Sequence, residues 1–222
     1  LGSSFVLSKG HFIVFEGIDG SGTTTQCRML ATYLEKAGAR VTLTREPGGT
    51  PAAERIRQLV LNPTLGDIAH MAELFLIAAS RSQHVEELIQ PALDRGEVVI
   101  CDRYIASSLA YQGYGRGLDL DIIKQVNQLA VANCLPDITI YLDLPLEIAR
   151  ARRDQRGDAV DRLEQAGEDL QEKVARGYRD IAGSERTAYV FDARLGEDQL
   201  AARIRDALRQ RWSWFPIEEN WT

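Results

Sequence analysis

The chain has 222 residues, of which 45% are hydrophobic and 26% charged, and its formal net charge is −6. This length allows one α/β domain with a sizeable core but not two comfortable ones. The acidic balance argues against a nucleic-acid groove as the main binding surface. No apolar run approaches the roughly 20 residues that a membrane span needs.

Three cysteines, Cys27, Cys101 and Cys134, lie far apart in the sequence and form no CxxC pair. This pattern argues against a disulfide framework or a zinc site and indicates reduced thiols. The first residues lack the charged-then-apolar order of a signal peptide. We therefore expect a single domain in the cytoplasm, with neither nucleic acid nor a membrane as a partner.

The predicted elements alternate between strands and helices along the chain. Short apolar runs predict strands at 12–15, 41–44, 98–101, 138–142 and 188–191. Helical patterns cover 24–37, 50–62, 68–96 with a bend or break at Pro91, 120–134, 147–156, a stretch that ends near 182, and 197–209. This alternation predicts a parallel sheet covered by helices on both faces. In such sheets the ligand site lies beyond the carboxyl ends of the strands.

Residues 12–26, FIVFEGIDGSGTTTQ, are typical of a phosphate-binding loop. Its glycines permit a turn in which backbone N–H groups point at an anion, and the following helix adds its positive N-terminal end. The motif G-x-x-x-x-G-K-[ST] matches from Gly17 through Gly22, and Thr24 falls at the Mg²⁺-binding hydroxyl, but Thr23 occupies the lysine position. A ligand-free turn is the alternative, yet the strand before and the helix after favour a phosphate site. The predicted ATP phosphate-binding residues are Gly17, Asp19, Gly20, Ser21, Gly22, Thr23, Thr24 and Thr25.

Charged residues follow several of the predicted strands. Asp102 ends a buried strand, where a carboxylate is costly unless it is paired or near a metal. In phosphate-loop proteins such a carboxylate commonly holds the Mg²⁺ shell, so we predict a metal site at Thr24 and Asp102. Arg103 offers a planar guanidinium that suits a phosphate. A mutual Asp102–Arg103 ion pair is the structural alternative.

Five segments together resemble the thymidylate kinase (dTMP kinase) family: EGIDGSGTTTQ, TREPGGT, AASRSQH, DRYIASSLAYQG and DRLE. The resemblance runs from Phe12 to about Arg209, and TREPGGT and the DRY segment are specific to that family. It implies the P-loop nucleoside monophosphate kinase fold with a five-stranded parallel sheet, transfer of the γ-phosphoryl group of Mg-ATP to dTMP, and a homodimer. We expect one kinase domain over 1–222, with a core at about 11–210, a lid at about 150–163 and a C-terminal tail at 211–222. The tail holds all three tryptophans; docking on a partner is the alternative, but we expect it to dock on the core of its own chain.

The resemblance also implies roles for residues around the acceptor. Asp19 is implied to contact the deoxyribose hydroxyl, Ser108 to face the thymine edge, and Tyr111 to lie near the sugar, where it disfavours a 2′-hydroxyl. Further residues are implied around the acceptor: the arginines Arg45, Arg81 and Arg103 at its phosphate, and also Ile77, Gln112 and Tyr178.

The phosphate loop contains no arginine, so the chain resembles the subgroup whose catalytic arginine comes from the lid. Phosphoryl transfer needs positive charge around the moving group and exclusion of water, which a closing lid provides. A solvated charged face is the alternative interpretation of this arginine-rich helix and is favoured for Arg150 or Arg152. The implied catalytic residues are Asp19, Arg103, Arg153 and Arg156.

Two positions depart from the family pattern. Thr23 removes a cation, and losing such a charge-assisted contact in the transition state costs on the order of ten- to a hundred-fold in rate unless a neighbouring cation replaces it. Ile77 stands where the family has a phenylalanine that stacks on thymine. Two alternatives to an active dTMP kinase therefore stay open: a catalytically weakened nucleotide-binding homologue with a regulatory or assembly role, and a kinase for another nucleoside monophosphate.

Overall fold

The computed structural model describes residues 9–156, 162–163 and 167–216. Within these ranges the chain forms a parallel five-stranded sheet with the order β2-β3-β1-β4-β5. The strands are β1 (His11–Gly17), β2 (Val41–Arg45), β3 (Val98–Asp102), β4 (Ile138–Asp143) and β5 (Ala188–Asp192). The predicted fold class is confirmed.

The sheet is covered on both faces because its central strands are apolar at nearly every position. Ile13 and Phe15 of β1 belong to one buried cluster, whereas Phe12 and Val14 belong to a second cluster on the opposite face. Since successive side chains of a strand point to opposite faces, both faces of β1 are core. This explains why the predicted strands read as continuous apolar runs.

The helices are α1 (Thr23–Lys36), α2 (Pro51–Leu61), α3 (His70–His84), α4 (Gln90–Asp94), α5 (Ile105–Ser108), α6 (Leu120–Val131), α7 (Leu146–Arg156), α8 (Glu168–Ser184) and α9 (Glu197–Arg211). The start of α2 agrees with the helical pattern predicted at 50–62. Thr50 caps the helix by accepting a hydrogen bond from the Ala53 N–H, and Pro51 is its first residue. The predicted helix 120–134 is three residues too long. Ala132 and Asn133 have φ values of 45° and 73°, which end the helix.

Two helices continue through wider turns that the sequence pattern does not indicate. α3 runs into α4 through a π-helical turn at Val85–Ile89, so the irregularity lies just before Pro91. α5 continues through a π-helical segment at Leu109–Gly115, which contains most of the glycine-rich stretch after Ala110. Such turns are frequent at functional sites.

The described part of the C-terminal tail packs on its own domain, as predicted. Trp212 and Phe215 are buried, and Phe215 stacks on Tyr33 with ring centroids 5.8 Å apart. Trp214 stacks on His11 at 4.7 Å. Residues 217–222 lie outside the described residues.

The predicted lid at 150–163 is described only at its two ends. Its first part belongs to α7, and Arg162 and Leu163 contact the body of the domain, while 157–161 lie outside the described residues. Among the residues that are described, no helix has the length and apolar character needed to cross a membrane.

Candidate active site

A cavity of about 350 Å³ lies at the carboxyl ends of β1, β2 and β3. This is the edge of the sheet at which ligands of open parallel folds bind. The phosphate loop forms one wall through Asp19, Gly20, Gly22, Thr23, Thr24 and Thr25. The cavity therefore collects most of the loop residues that the sequence predicts to bind phosphate.

Two glycines of the loop are required by its backbone. Gly22 precedes α1 with a φ of 94°, a left-handed conformation that favours glycine. Gly20 has a φ of 92°, and a Cβ there would lie 2.6 Å from the Ala149 carbonyl oxygen of α7. Gly17 and Ser21 lie behind the loop, where a Cβ on Gly17 would be 2.6 Å from Ser21 Oγ. A side chain at residue 17 would therefore collide with Ser21 inside the loop.

Thr24 and Asp102 lie together at the floor of the cavity. The Thr24 hydroxyl donates a hydrogen bond to Asp102 Oδ2. The other oxygen, Asp102 Oδ1, is buried and has no hydrogen-bond partner among the described residues. Mg²⁺ is usually held by one or two protein groups together with substrate phosphates and water. The hydroxyl and the unpartnered carboxylate oxygen fit that requirement.

Arg103 forms an ion pair with Asp19 of the phosphate loop. An ion pair between Asp102 and Arg103, the structural alternative, is absent from the described contacts. The Arg103 side chain has two close partners. Its Nη2 lies 2.6 Å from Asp19 Oδ1, and its Nη1 lies 3.0 Å from the Tyr178 hydroxyl. The Tyr111 hydroxyl donates to Asp19 Oδ2 at 2.8 Å. Burial raises the pKa of Tyr111, which keeps its hydroxyl protonated as a donor.

The backbone at Arg103 is unusual for a residue with a side chain, since its φ is 74°. Such strain persists only where the surroundings hold it. The Arg103 N–H donates to the Phe15 carbonyl oxygen at 2.8 Å, and the next N–H, that of Tyr104, donates to Glu16 Oε1 at 2.8 Å. Both acceptors lie at the end of β1, so the turn after β3 is fixed by the strand that leads into the phosphate loop.

The Glu16 carboxylate accepts hydrogen bonds from the segment that follows β3 and from α8. It is fully buried, and its Oε2 accepts hydrogen bonds from the Ser107 hydroxyl at 2.6 Å and the Tyr178 hydroxyl at 3.2 Å. Burial raises the pKa of Glu16. Tyr178 lies behind Arg103, on the wall of a second cavity of about 180 Å³. The predicted place of Tyr178 beside the nucleotide stays a prediction.

A second wall of the cavity comes from α3 and the α5 region. Ile77 and Arg81 are four residues apart on α3, so they share one face of that helix. Ser108 and Gln112 have the same spacing in the α5 region. All four side chains line the cavity. Phe75 points away and is 55% exposed, as its position on the helix predicts.

The Arg81 guanidinium is buried in an internal network. Nε donates to Glu46 Oε2 at 2.6 Å, Nη1 to Ser108 Oγ at 2.9 Å and to Asn127, and Nη2 to the Tyr104 carbonyl at 2.8 Å. Its predicted contact with the acceptor phosphate stays a prediction. Arg45 also lines the cavity, where its Nη2 lies 3.1 Å from Glu54 Oε2.

Several lining residues were not predicted from the sequence. Arg57 and Leu61 face the cavity from α2, and Arg57 Nη1 donates to the Pro47 carbonyl at 2.9 Å. Their spacing of four residues could have indicated a shared face. Glu46, Ser107 and Leu163 also line the cavity, and their burial and partners depend on distant segments that no local pattern reveals.

The arginines of α7 have different surroundings. Arg150 pairs with Glu168 at 2.9 Å, and Arg152 Nη2 donates to the Ala193 carbonyl oxygen at 2.9 Å. Arg153 is half-buried on the same helix. Arg156 ends α7, and its side chain lies outside what the structure describes. The catalytic roles of Arg153 and Arg156 therefore stay predictions.

Comparison with known proteins gives one consistent family. The family model for thymidylate kinase matches residues 15–204. A thymidylate kinase of Syntrophotalea carbinolica is 48% identical over 199 residues, covering 87% of this chain and 92% of that protein. One of Deinococcus radiodurans is 45% identical over 206 residues, covering 92% of this chain and 99% of that protein. A crystal structure of thymidylate kinase from Ehrlichia chaffeensis aligns with a TM-score of 0.74 at 34% identity, covering 90% of this chain and 99% of that one.

Proposed function

This chain belongs to the thymidylate kinase family, and from that premise we propose that the cavity beside the phosphate loop is where it transfers a phosphoryl group from ATP to dTMP. The family supports dTDP and ADP as the products. It does not favour the alternative of a nucleotide-binding homologue without this activity.

One observation carries the proposed site. The phosphate loop, the Thr24–Asp102 pair and the Arg103–Asp19 pair all line the same cavity of about 350 Å³. Catalysis of phosphoryl transfer consists largely of holding donor and acceptor in line and stabilising charge on the phosphoryl oxygens. A donor-phosphate loop and a guanidinium on the same cavity meet both needs.

The donor phosphates bind at the loop. Backbone N–H groups between Asp19 and Thr25 and the N-terminus of α1 bind the β- and γ-phosphates. Thr24 and Asp102 would hold Mg²⁺, which supplies positive charge to those oxygens when bound. The Thr23 side chain is uncharged. Among the described lining residues, the positive charges come from the guanidinium groups of Arg45, Arg57, Arg81 and Arg103.

The acceptor lies across from the loop in this proposal. Asp19 receives the sugar hydroxyl, Arg45 and Arg103 approach the acceptor phosphate, and Tyr111 limits the space at the 2′ position. Ile77 offers an apolar face to the base, and Ser108 and Gln112 offer polar edges. Ile77, Ser108 and Gln112 lie on the same wall of the cavity, which supports their place around the base.

We also propose a homodimer. Exposed apolar side chains lie on α2, α3 and α6, at Leu59, Phe75, Ile122 and Leu129, and Leu129 is 82% exposed. α3 packs against both α2 and α6, so these helices are neighbours. Exposed apolar side chains on neighbouring helices would be covered by an interface with a second copy.

The three free, buried cysteines support our further proposal of a cytoplasmic location, where thiols stay reduced.

The test of the proposed site is a coupled ADP-release assay with Mg-ATP and dTMP, dUMP, dCMP, dGMP and dAMP in parallel. We expect turnover selective for dTMP. Arg103→Met should reduce kcat/KM for dTMP by about 100-fold or more, because a charged contact to the acceptor phosphate is lost. Arg194→Met, at an exposed arginine that pairs with Asp192, is the matched control. Equal turnover of all acceptors, or an unaffected Arg103→Met variant, would contradict the proposal.

A further inference from the structure

One buried amide on the wall of the cavity is paired on only one side. Gln112 is 1% exposed, and its Nε2 donates to Glu73 Oε1 at 2.8 Å. Its Oε1 is buried without a hydrogen-bond partner among the described residues. An unpaired buried acceptor is destabilising, so a bound group that donates a hydrogen bond is favoured there.

Glu73 fixes the orientation of this amide. A carboxylate only accepts hydrogen bonds, so the NH₂ group of Gln112 has to face Glu73. The carbonyl oxygen of Gln112 must then face the other way. Rotating the amide would bring two acceptors together and leave a buried donor unpaired, so one orientation is strongly preferred.

Glu73 itself is held in place by two arginines. It is fully buried on α3, and its Oε2 accepts hydrogen bonds from Arg162 Nη2 and, at 3.5 Å, from Arg116 Nη2. Arg162 is anchored in turn, because its Nε donates to the Val60 carbonyl oxygen at 2.8 Å. Both carboxylate oxygens are therefore engaged, so rotating the Glu73 carboxylate would break its hydrogen bonds to the arginines.

We propose that Glu73 is a positioning residue that sets the nucleobase preference of the cavity by holding Gln112 as a hydrogen-bond acceptor. This inference rests on the proposed function, in which the cavity takes a pyrimidine monophosphate. Thymine and uracil carry an imide N3–H, which donates to such an acceptor. Cytosine has a lone pair at N3, which faces the same acceptor unfavourably. A site built around one hydrogen-bond polarity rejects the opposite polarity far more strongly than it rejects a change in size.

The test compares kcat and KM for dTMP, dUMP and dCMP in Glu73→Gln and in the wild-type protein. Since the amide introduced by Glu73→Gln can accept or donate, the amide of Gln112 becomes free to rotate. We expect the ratio of kcat/KM for dTMP over dCMP to fall at least ten-fold, mainly through KM, while the dTMP over dUMP ratio stays unchanged. Glu73→Asp keeps the charge beside Arg162 but withdraws the carboxylate from Gln112, so it should shift the ratio in the same direction even if Glu73→Gln does not fold.

A double variant separates positioning from a general loss of stability. In a Gln112→Ala background, Glu73→Gln should leave the dTMP over dCMP ratio unchanged, because Glu73 acts through the missing amide. The matched control is Glu87→Gln. Glu87 also accepts a 2.8 Å hydrogen bond from a glutamine, Gln83, but this pair is exposed to solvent.

An unchanged ratio in the folded Glu73 variants overturns the inference, and so does an equal fall in the Gln112→Ala background. If the wild-type protein does not prefer dTMP to dCMP, the proposed acceptor site fails and this inference fails with it. A wild-type preference that survives both Glu73 substitutions removes this inference alone.

Discussion

Arg103 Nη2 and Asp19 Oδ1 lie 2.6 Å apart, although the two residues are separated by 84 positions in the chain. The ion pair joins the turn after β3 to the phosphate loop, and Tyr111 holds the second oxygen of Asp19. The Asp19 carboxylate therefore orients a guanidinium and a phenol at once.

We expect Asp19→Asn to lower kcat/KM for dTMP by about 10- to 100-fold, because an amide cannot accept from both Arg103 and Tyr111 as a carboxylate does. Steady-state kinetics with dTMP as the varied substrate measures the effect. Asp121→Asn is the control, since Asp121 is exposed and pairs only with Lys124 in the described contacts. A change of less than two-fold in Asp19→Asn would show that this pair does not orient the site.

Thr23 is 6% exposed and opens α1 on the cavity wall. We expect Thr23→Lys to raise kcat for dTMP by about ten-fold, because an ammonium group at the start of α1 adds charge beside the donor phosphates. Thr23→Met has similar length without the charge, so it should not raise kcat. An unchanged kcat in Thr23→Lys would mean that another cation already meets this need.

A substitution at Gly20 can test how closely the phosphate loop packs against α7. We expect Gly20→Ala to lower the melting temperature and weaken ATP binding, because its φ of 92° is strained for alanine and the Cβ would lie 2.6 Å from the Ala149 carbonyl oxygen. Thermal denaturation with and without ATP measures both effects. Gly183→Ala in α8 is the matched control, since a Cβ there meets nothing within 4 Å. A Gly20→Ala variant as stable and as tight-binding as Gly183→Ala would contradict the close packing.

The lowered pKa of Glu97 predicts that the stability of the protein depends on pH. The Arg95 guanidinium, together with Thr42 and Arg40, lowers the pKa of Glu97 from 4.5 to about 2. A lowered folded-state pKa stabilises the protein above the unfolded pKa, and this contribution is lost as the pH falls from about 4.5 through 2. Glu97→Gln should therefore reduce the free energy of unfolding by about 1–3 kcal/mol at pH 7. Urea denaturation at pH 7 and at pH 3.5 should show the difference narrowing, and a constant difference would contradict it.

The proposed homodimer predicts that charge on the exposed apolar helices separates two copies. We expect the double substitution Phe75→Glu and Leu129→Glu to convert a dimer into a monomer, because burying a carboxylate in an apolar interface is costly. Light scattering coupled to size-exclusion chromatography measures the mass. Leu43→Glu, at an exposed position of β2, is the control. A monomeric wild-type protein would contradict the proposal directly.

The fold class and the phosphate loop could be predicted from the amino-acid sequence alone. Both depend on patterns within short segments: apolar runs alternating with helical periods, and a strand, glycines and a helix start in direct succession. The start of the helix predicted at 50–62 has the same origin, because Thr50 and Pro51 are adjacent. In each case the residues that decide the structure are neighbours in the chain.

The contacts between residues far apart in the chain could not be predicted in this way. Glu73 and Arg162 are 89 positions apart, yet they form the buried contact that fixes Gln112. The Arg81 guanidinium is enclosed by Glu46, Ser108 and Asn127, and the π-helical turns at Val85–Ile89 and Leu109–Gly115 follow no local signal. The physical reason is that a local pattern sets the period and backbone preference of a segment. Burial and hydrogen-bond partners arise only when segments pack together.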